Sequence, residues 1–232
     1  MKIAILDLTT HPEPLLTGLP RVHEQTVAWL SQGLPEADYV VVDVAEGGAP
    51  MPALESFDGV VLTGSEFGVY DDVPWMAPLR GFLNACRAAR KPVYGICFGH
   101  QIMADTWGGK AEKSPEGAVI GAQDYQIGED QREVLVWHQD QVTEVPPSAR
   151  VTASAGYCPV GALEYDFPAA SVQFHPEHRA DHIGQIYEKF RGAEIPEEKF
   201  GPAMASLQTS EVAVDEQAHE AAAFFRAHIS RA

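Results

Sequence analysis

Between residues 93 and 101 the chain reads Val-Tyr-Gly-Ile-Cys-Phe-Gly-His-Gln, which sets Cys97 between Gly95 and Gly99 where an apolar run gives way to a helical pattern. A strand-to-helix turn this tight imposes an unusual backbone conformation and needs neighbours without bulky side chains. It also aims a helix N-terminus at the sulfur, where partial positive charge favours thiolate over thiol. A second segment, Ala170-Ser-Val-Gln-Phe-His-Pro-Glu177, is a short β-pattern that ends in His175, Pro176 and Glu177. Strand residues two apart share a face, so Glu177 can orient one nitrogen of His175 and leave the other facing outward. A thiol, an imidazole and a carboxylate in those roles form the cysteine variant of the hydrolytic triad. Its base takes the thiol proton and later returns it to a leaving amine.

These segments resemble those of the class I glutamine amidotransferases, which carry a Gly-x-Cys-x-Gly-His-Gln turn and a late His-Pro-Glu. Both are present in that order, at Gly95 to Gln101 and at His175 to Glu177. A third stretch, Val61-Leu-Thr-Gly-Ser-Glu-Phe-Gly-Val-Tyr-Asp71, is similar to the family's oxyanion loop after the third strand, Gly-Gly-Pro-x-Ser-Val. The resemblance covers roughly residues 1 to 190, and three ordered motifs are far more specific than any one. The resemblance implies Cys97 as nucleophile, His175 as base and Glu177 as its orienter. It further implies the backbone N–H groups of Ser65 and Phe98 as oxyanion donors, with Gly64 and Gln101 against the substrate.

Two departures stand beside these matches. Ser65 replaces the usual second glycine of the oxyanion loop and Glu66 replaces proline. A serine serves as a backbone donor if its φ is negative, whereas a loop that demands positive φ is compromised by it. Further on, Val136-Trp-His-Gln-Asp-Gln-Val142 resembles the Ser-His-Gly-Asp segment of GMP synthase glutaminase domains, which helps hold the amino acid end of glutamine. Trp137 and Gln139 differ there, so only His138 and Asp140 are carried over as substrate-binding residues.

The implied reaction is acyl transfer from glutamine or a γ-glutamyl amide to sulfur, followed by hydrolysis of the thioester. Three fates of this chemistry stay open: ammonia passed to a separate synthase partner, a stand-alone γ-glutamyl peptidase or hydrolase, and a binding or regulatory subunit without turnover. No cofactor is expected. His178 and His182 stand at i, i+4 spacing beside Asp181, yet without a further patterned ligand they read as a solvated helix start and no metal is expected.

The 232 residues, 45% hydrophobic, suit one α/β domain, with a helical extension at about 203–232 beyond the motifs. Sixteen basic against 33 acidic residues give a net charge of −17, which repels nucleic acid and anionic membrane surfaces. Cys86, Cys97 and Cys158 are too few and scattered for a disulfide framework or a four-ligand zinc site. No apolar stretch is long enough to cross a bilayer and the first eight residues read as a strand, so a cytoplasmic protein is expected.

To position the site, apolar runs must alternate with helices as in a mostly parallel sheet covered on both faces, the flavodoxin-like arrangement that the resemblance also implies. Strands are expected near 2–8, 38–45, 57–63 and 92–97, with helices near 20–32, 75–90 and 100–107. Shorter strands near 117–126, 132–137, 151–154, 161–165 and 170–174 complete the sheet and add a smaller antiparallel portion. Helices near 178–191 and 211–230 follow, with Pro196 and the Gly201-Pro202 pair marking a linker between them. The proline-rich segment from His11 to Pro20 follows strand one at the ligand edge of such a sheet.

Overall fold

The computed structural model describes residues 1–210, 212 and 214–229. Strands β1 (Lys2–Asp7), β2 (Asp38–Asp43), β3 (Gly59–Leu62), β4 (Val93–Ile96) and β11 (Ala169–Val172) pair in parallel in the order β2-β1-β3-β4-β11. Between these strands run α1 (Val22–Gly33), α2 (Met76–Ala88) and α3 (Phe98–Thr106). The sheet continues antiparallel through β10 (Cys158–Tyr165), β9 (Ala149–Ala155), β6 (Val119–Ile127) and β7 (Asp130–His138), giving nine strands in all. A two-stranded sheet pairs β5 (Lys110–Lys113) with β8 (Asp140–Glu144). The order of the parallel half is that of doubly wound flavodoxin-like sheets, whose ligands bind at the C-terminal strand edge.

Alternation explains why the central strands are apolar throughout. Ala4 and Leu6 of β1 face a core built with Leu79, Leu83 and Ile102, whereas Ile3 and Ile5 face Trp29, Leu30 and Phe225. A strand covered on both faces reads as a continuous apolar run. β2 lies at the sheet edge, where Val40 and Val41 are exposed.

The second half departs from expectation in two places. Pro196 and Pro202 do not mark a linker: Pro196 caps α5 (Glu197–Thr209) and Pro202 lies inside it. Burial of Phe200, Ala203 and Leu207 among Ile120, Ile183 and Tyr187 outweighs the missing backbone bond. The short strands β5 and β8 are the second departure. Helix α4 (Ala180–Phe190) falls where the pattern places a helix. The last helix, α6 (Val214–His228), buries Ala218, Ala222 and Phe225; its expected limits at 211 and 230 lie outside the described residues. Among the described residues no helix is long and apolar enough to cross a membrane.

Helix α6 closes the fold by packing its small residues against α1. A Cβ on Gly33 would stand 2.3 Å from Ala218 O and 2.9 Å from Ala222 Cβ. Gly33→Ala is therefore expected to lower stability by about 1–3 kcal/mol through overpacking, seen as a lower urea midpoint at unchanged slope. A midpoint equal to that of the parent would show that the two helices do not approach this closely.

Candidate active site

Adjacent parallel strands β4 and β11 end side by side, and the segments leaving them carry the nucleophile and base candidates. Cys97 follows β4 as the N-cap of α3 with φ 50° and ψ −102°, and its N–H donates to Val172 O at 2.8 Å. The flanking glycines are sterically required. A Cβ on Gly95 would lie 2.4 Å from Met103 Sδ and 2.6 Å from Gly99 C, and one on Gly99 would lie 2.8 Å from Leu62 O. After β11 the chain is pinned twice to the antiparallel half, by Gln173 N–H to Gly161 O and His175 N–H to Leu135 O, both 2.8 Å. His175 Nδ1–H then donates to Glu177 Oε1 at 2.8 Å, leaving Nε2 buried and without a partner.

The electrostatics follow from this burial. Desolvation works against charge on His175, but the Glu177 carboxylate and the Cys97 sulfur overcome it and hold the imidazole well above its ordinary pKa. Burial by itself would raise Glu177; the neighbouring His175, hydrogen-bonded to it, keeps it below the usual carboxylate range. The arrangement can hold a proton on the imidazole.

The loop after β3 completes the constellation. Gly64 lies so close that an added Cβ would sit 3.0 Å from His175 Cε1 and 3.7 Å from Cys97 Cβ. Among the described residues only Arg90 and Cys97 are non-glycine residues with positive φ, so Ser65 occupies its position in a conformation open to any residue. Its hydroxyl accepts from Phe67 N–H at 3.2 Å within the same loop. Thr63 O accepts from Gly99 N–H at 3.2 Å and ties this loop to the start of α3. Phe98 is the first residue of that helix, so its N–H has no intrahelical acceptor.

The remaining expected residues fall beside the same cavity, a volume of about 590 Å³ lined by Gly64, Ser65, Cys97, Gln101, His138, Asp140 and His175 among others. Gln101 Nε2 donates to Asp140 O at 2.8 Å and His138 Nδ1–H donates to the same carbonyl at 3.0 Å. Asp140 begins β8, and its carboxyl is pushed up by burial. Thr9, Thr10, Pro12 and Leu16 bring the segment after β1 to the cavity wall.

Sequence reasoning missed two residues. Gln173 is fully buried, donates to Cys97 Sγ at 3.6 Å and accepts from Gln101 at 3.2 Å; its place in the Val-Gln-Phe-His-Pro-Glu run was the available signal. His178 differs from the solvated helix start that its spacing suggests. It is instead buried, stacked on His175 with centroids 4.5 Å apart, and hydrogen-bonded to Gln25 Oε1. Ligand atoms of His175, Glu177 and His178 lie within 4.8 Å of one another, a group that could approach a cation. The two imidazole Nδ1 atoms are engaged by Glu177 and Gln25.

The profile of the glutamine amidotransferase class-I family matches residues 25–190. Gamma-glutamyl peptidase 3 of Arabidopsis thaliana is 28% identical over 174 residues, covering 68% of this chain and 70% of that protein. A subunit of the glutamine-hydrolysing GMP synthase of Halobacterium salinarum is 32% identical over 168 residues, covering 68% of this chain and 86% of that protein. A glutamine amidotransferase crystal structure from Methylobacillus flagellatus superposes with a TM-score of 0.76 at 21% identity, covering 99% of this chain and 96% of that one. A second, from Thermotoga maritima, gives 0.76 at 18% identity and 99% coverage of both. Together the profile match and the fold place the chain in a defined class of α/β proteins. It belongs to the class I glutamine amidotransferase family.

Three buried imidazoles near the site carry a pH signature. Burial holds His100 and His178 near 3 and His138 near 4, against an ordinary value of about 6.5. Below about pH 6.5 the unfolded chain therefore binds more protons than the native one, and stability falls towards pH 4 by up to about 1.4 kcal/mol per group per pH unit. His175, shifted upward, gives its full contribution below 6.5 and adds no slope in that window. The urea midpoint is expected to be clearly lower at pH 5 than at pH 7; equal midpoints would mean that these rings are not held neutral.

Proposed function

We propose that this chain is a cysteine-dependent amidohydrolase that cleaves glutamine or a γ-glutamyl amide through a thioester on Cys97. The convergence of Cys97, the His175–Glu177 pair and the Gly64–Ser65 loop on one cavity carries this reading. Cys97 Sγ attacks the γ-carbonyl carbon while the Ser65 and Phe98 N–H groups stabilise the oxyanion. As the C–N bond breaks, His175 Nε2–H gives its proton to the leaving nitrogen. Water, deprotonated by the same nitrogen of His175, then releases glutamate and regenerates the thiolate. Gly64, Gln101, His138 and Asp140 hold the glutamyl end.

A cavity of about 590 Å³ lies within the range of roughly 300–1,000 Å³ that encloses drug-sized ligands and exceeds what one amino acid fills. That volume, together with the gamma-glutamyl peptidase relatives, favours a γ-glutamyl amide over free glutamine as the preferred substrate. Similarity to a glutamine-hydrolysing GMP synthase supports a second reading in which glutamine is hydrolysed and ammonia passes to a synthase partner. The strained Cys97 and the orienting bond of His175 weigh against a binding protein without turnover.

Cys97→Ala is expected to lower turnover of the free chain at least about a thousandfold. Ser65→Gly should stay within a few-fold, since the serine hydroxyl is engaged by its own loop. At pH 7 iodoacetamide should label Cys97 alone, because burial pushes Cys86 up to about 12 and Cys158 up to about 11. Full activity in Cys97→Ala, measured as glutamate release, would remove the assignment.

A further inference from the structure

The cavity has two unlike walls. One is polar, carrying Gln101, His138 and Asp140. The other is apolar: Leu16 from the segment after β1, Trp137 at the end of β7, and Ile183, Ile186 and Phe190 of α4. The apolar wall is built rather than incidental. The Trp137 indole meets Tyr187 and Phe190 edge to face, with centroids 5.3 and 5.5 Å apart.

Its position relative to the chemistry is defined by the chain itself. Trp137 O lies 3.8 Å from Cys97 Sγ, so the residue bearing the indole borders the nucleophile. Helix α4 begins at Ala180, just beyond the His175–Glu177 pair and the His178 ring stacked on His175. The proton for the departing nitrogen comes from His175. A group leaving from that nitrogen therefore projects towards α4, away from Gln101 and Asp140.

The charges select among leaving groups. Among the described residues lining the cavity there is no lysine or arginine, while Glu66 and Glu194 stand on it. His178 beside His175 is held neutral by burial, near 3. A dipeptide would carry its C-terminal carboxylate against this wall with no lysine or arginine on it to pair that charge, at a desolvation cost. An amine lacking a carboxylate would bury its apolar body there and meet no such cost.

We propose that the leaving-group subsite selects γ-glutamyl amides of bulky apolar amines without a carboxylate, in preference to γ-glutamyl peptides. The proposal rests on the amidohydrolase reading above. The products are glutamate and the free amine, with water consumed and no other reactant.

The test compares kcat/KM of the full chain for γ-glutamyl-phenethylamide, γ-glutamyl-phenylalanine and glutamine. The phenethylamide and the dipeptide differ only by the carboxylate. The amide is expected to exceed the dipeptide by at least about tenfold, the size of effect that an unmatched polar group produces in a built pocket. Ile186→Arg, placing a cation on the wall, should shift the ratio of the two substrates towards the dipeptide; the ratio is read on one preparation and does not depend on the folded fraction. A dipeptide equal to or better than the amide would overturn the inference, as would turnover of glutamine alone, which leaves the amidohydrolase reading standing. Inactivity towards all three, with Cys97 unreactive to iodoacetamide, would remove that reading and this inference with it.

Discussion

Cys97 is held at φ 50° and ψ −102°, outside the regions open to ordinary L residues. Such a conformation costs on the order of 1–3 kcal/mol and persists only where the surroundings over-determine it. Here they do so from three sides: the Cys97 N–H is bound by Val172 O, Gly95 packs against Met103 and Gly99, and Gly99 sits on Leu62 of the neighbouring strand. Each contact joins β4 or α3 to a strand beside it. The parallel half of the sheet is thus the device that sets a cysteine on the cavity wall, and the residues grouped around Cys97 inherit their geometry from that turn.

The second constraint is burial of charge. His175 and Glu177 are both buried, and an isolated ion in either place would be costly. Each is tolerable because the other is present, hydrogen-bonded at 2.8 Å, with Cys97 completing the set. The imidazoles around them, His138 and His178, are kept neutral by the same desolvation. One environment thus separates the states of neighbouring histidines: the ring bonded to a carboxylate favours the second proton of the cationic form, and the rings that donate to Asp140 O and to the Gln25 side chain stay neutral.

What the sequence disclosed follows the range over which each interaction acts. The Cys97 turn, the His175–Glu177 pair and the central strands are local, written in glycine spacing and in two-residue periodicity, and all were legible. The burial of His178 was not, because its partner Gln25 lies on α1, 153 residues away in sequence. Helix α5 was hidden by Pro202, a signal of chain breaking that only packing against β6 and α4 overrides. Strand β5 buries Ala111 alone, leaving no alternation to read in Lys-Ala-Glu-Lys. The question of whether Ser65 could stand for glycine was posed by the sequence but required a backbone angle to answer.

The two halves of the sheet divide the labour. The segments that leave β3, β4 and β11 carry Gly64 and Ser65, Cys97, and the His175–Glu177 pair, and the family profile at residues 25–190 spans them all. The antiparallel half enters the site differently: Leu135 anchors the backbone of His175, while two residues further along β7 the Trp137 ring extends over α4. One strand thus anchors the His175 backbone through a carbonyl and shapes the wall beside it through a side chain. A side-chain change at Trp137 would alter what fits without moving the bond from His175 N–H to Leu135 O. Backbone hydrogen bonds that fix the geometry around Cys97 and His175 and side chains that shape the cavity wall can therefore vary independently.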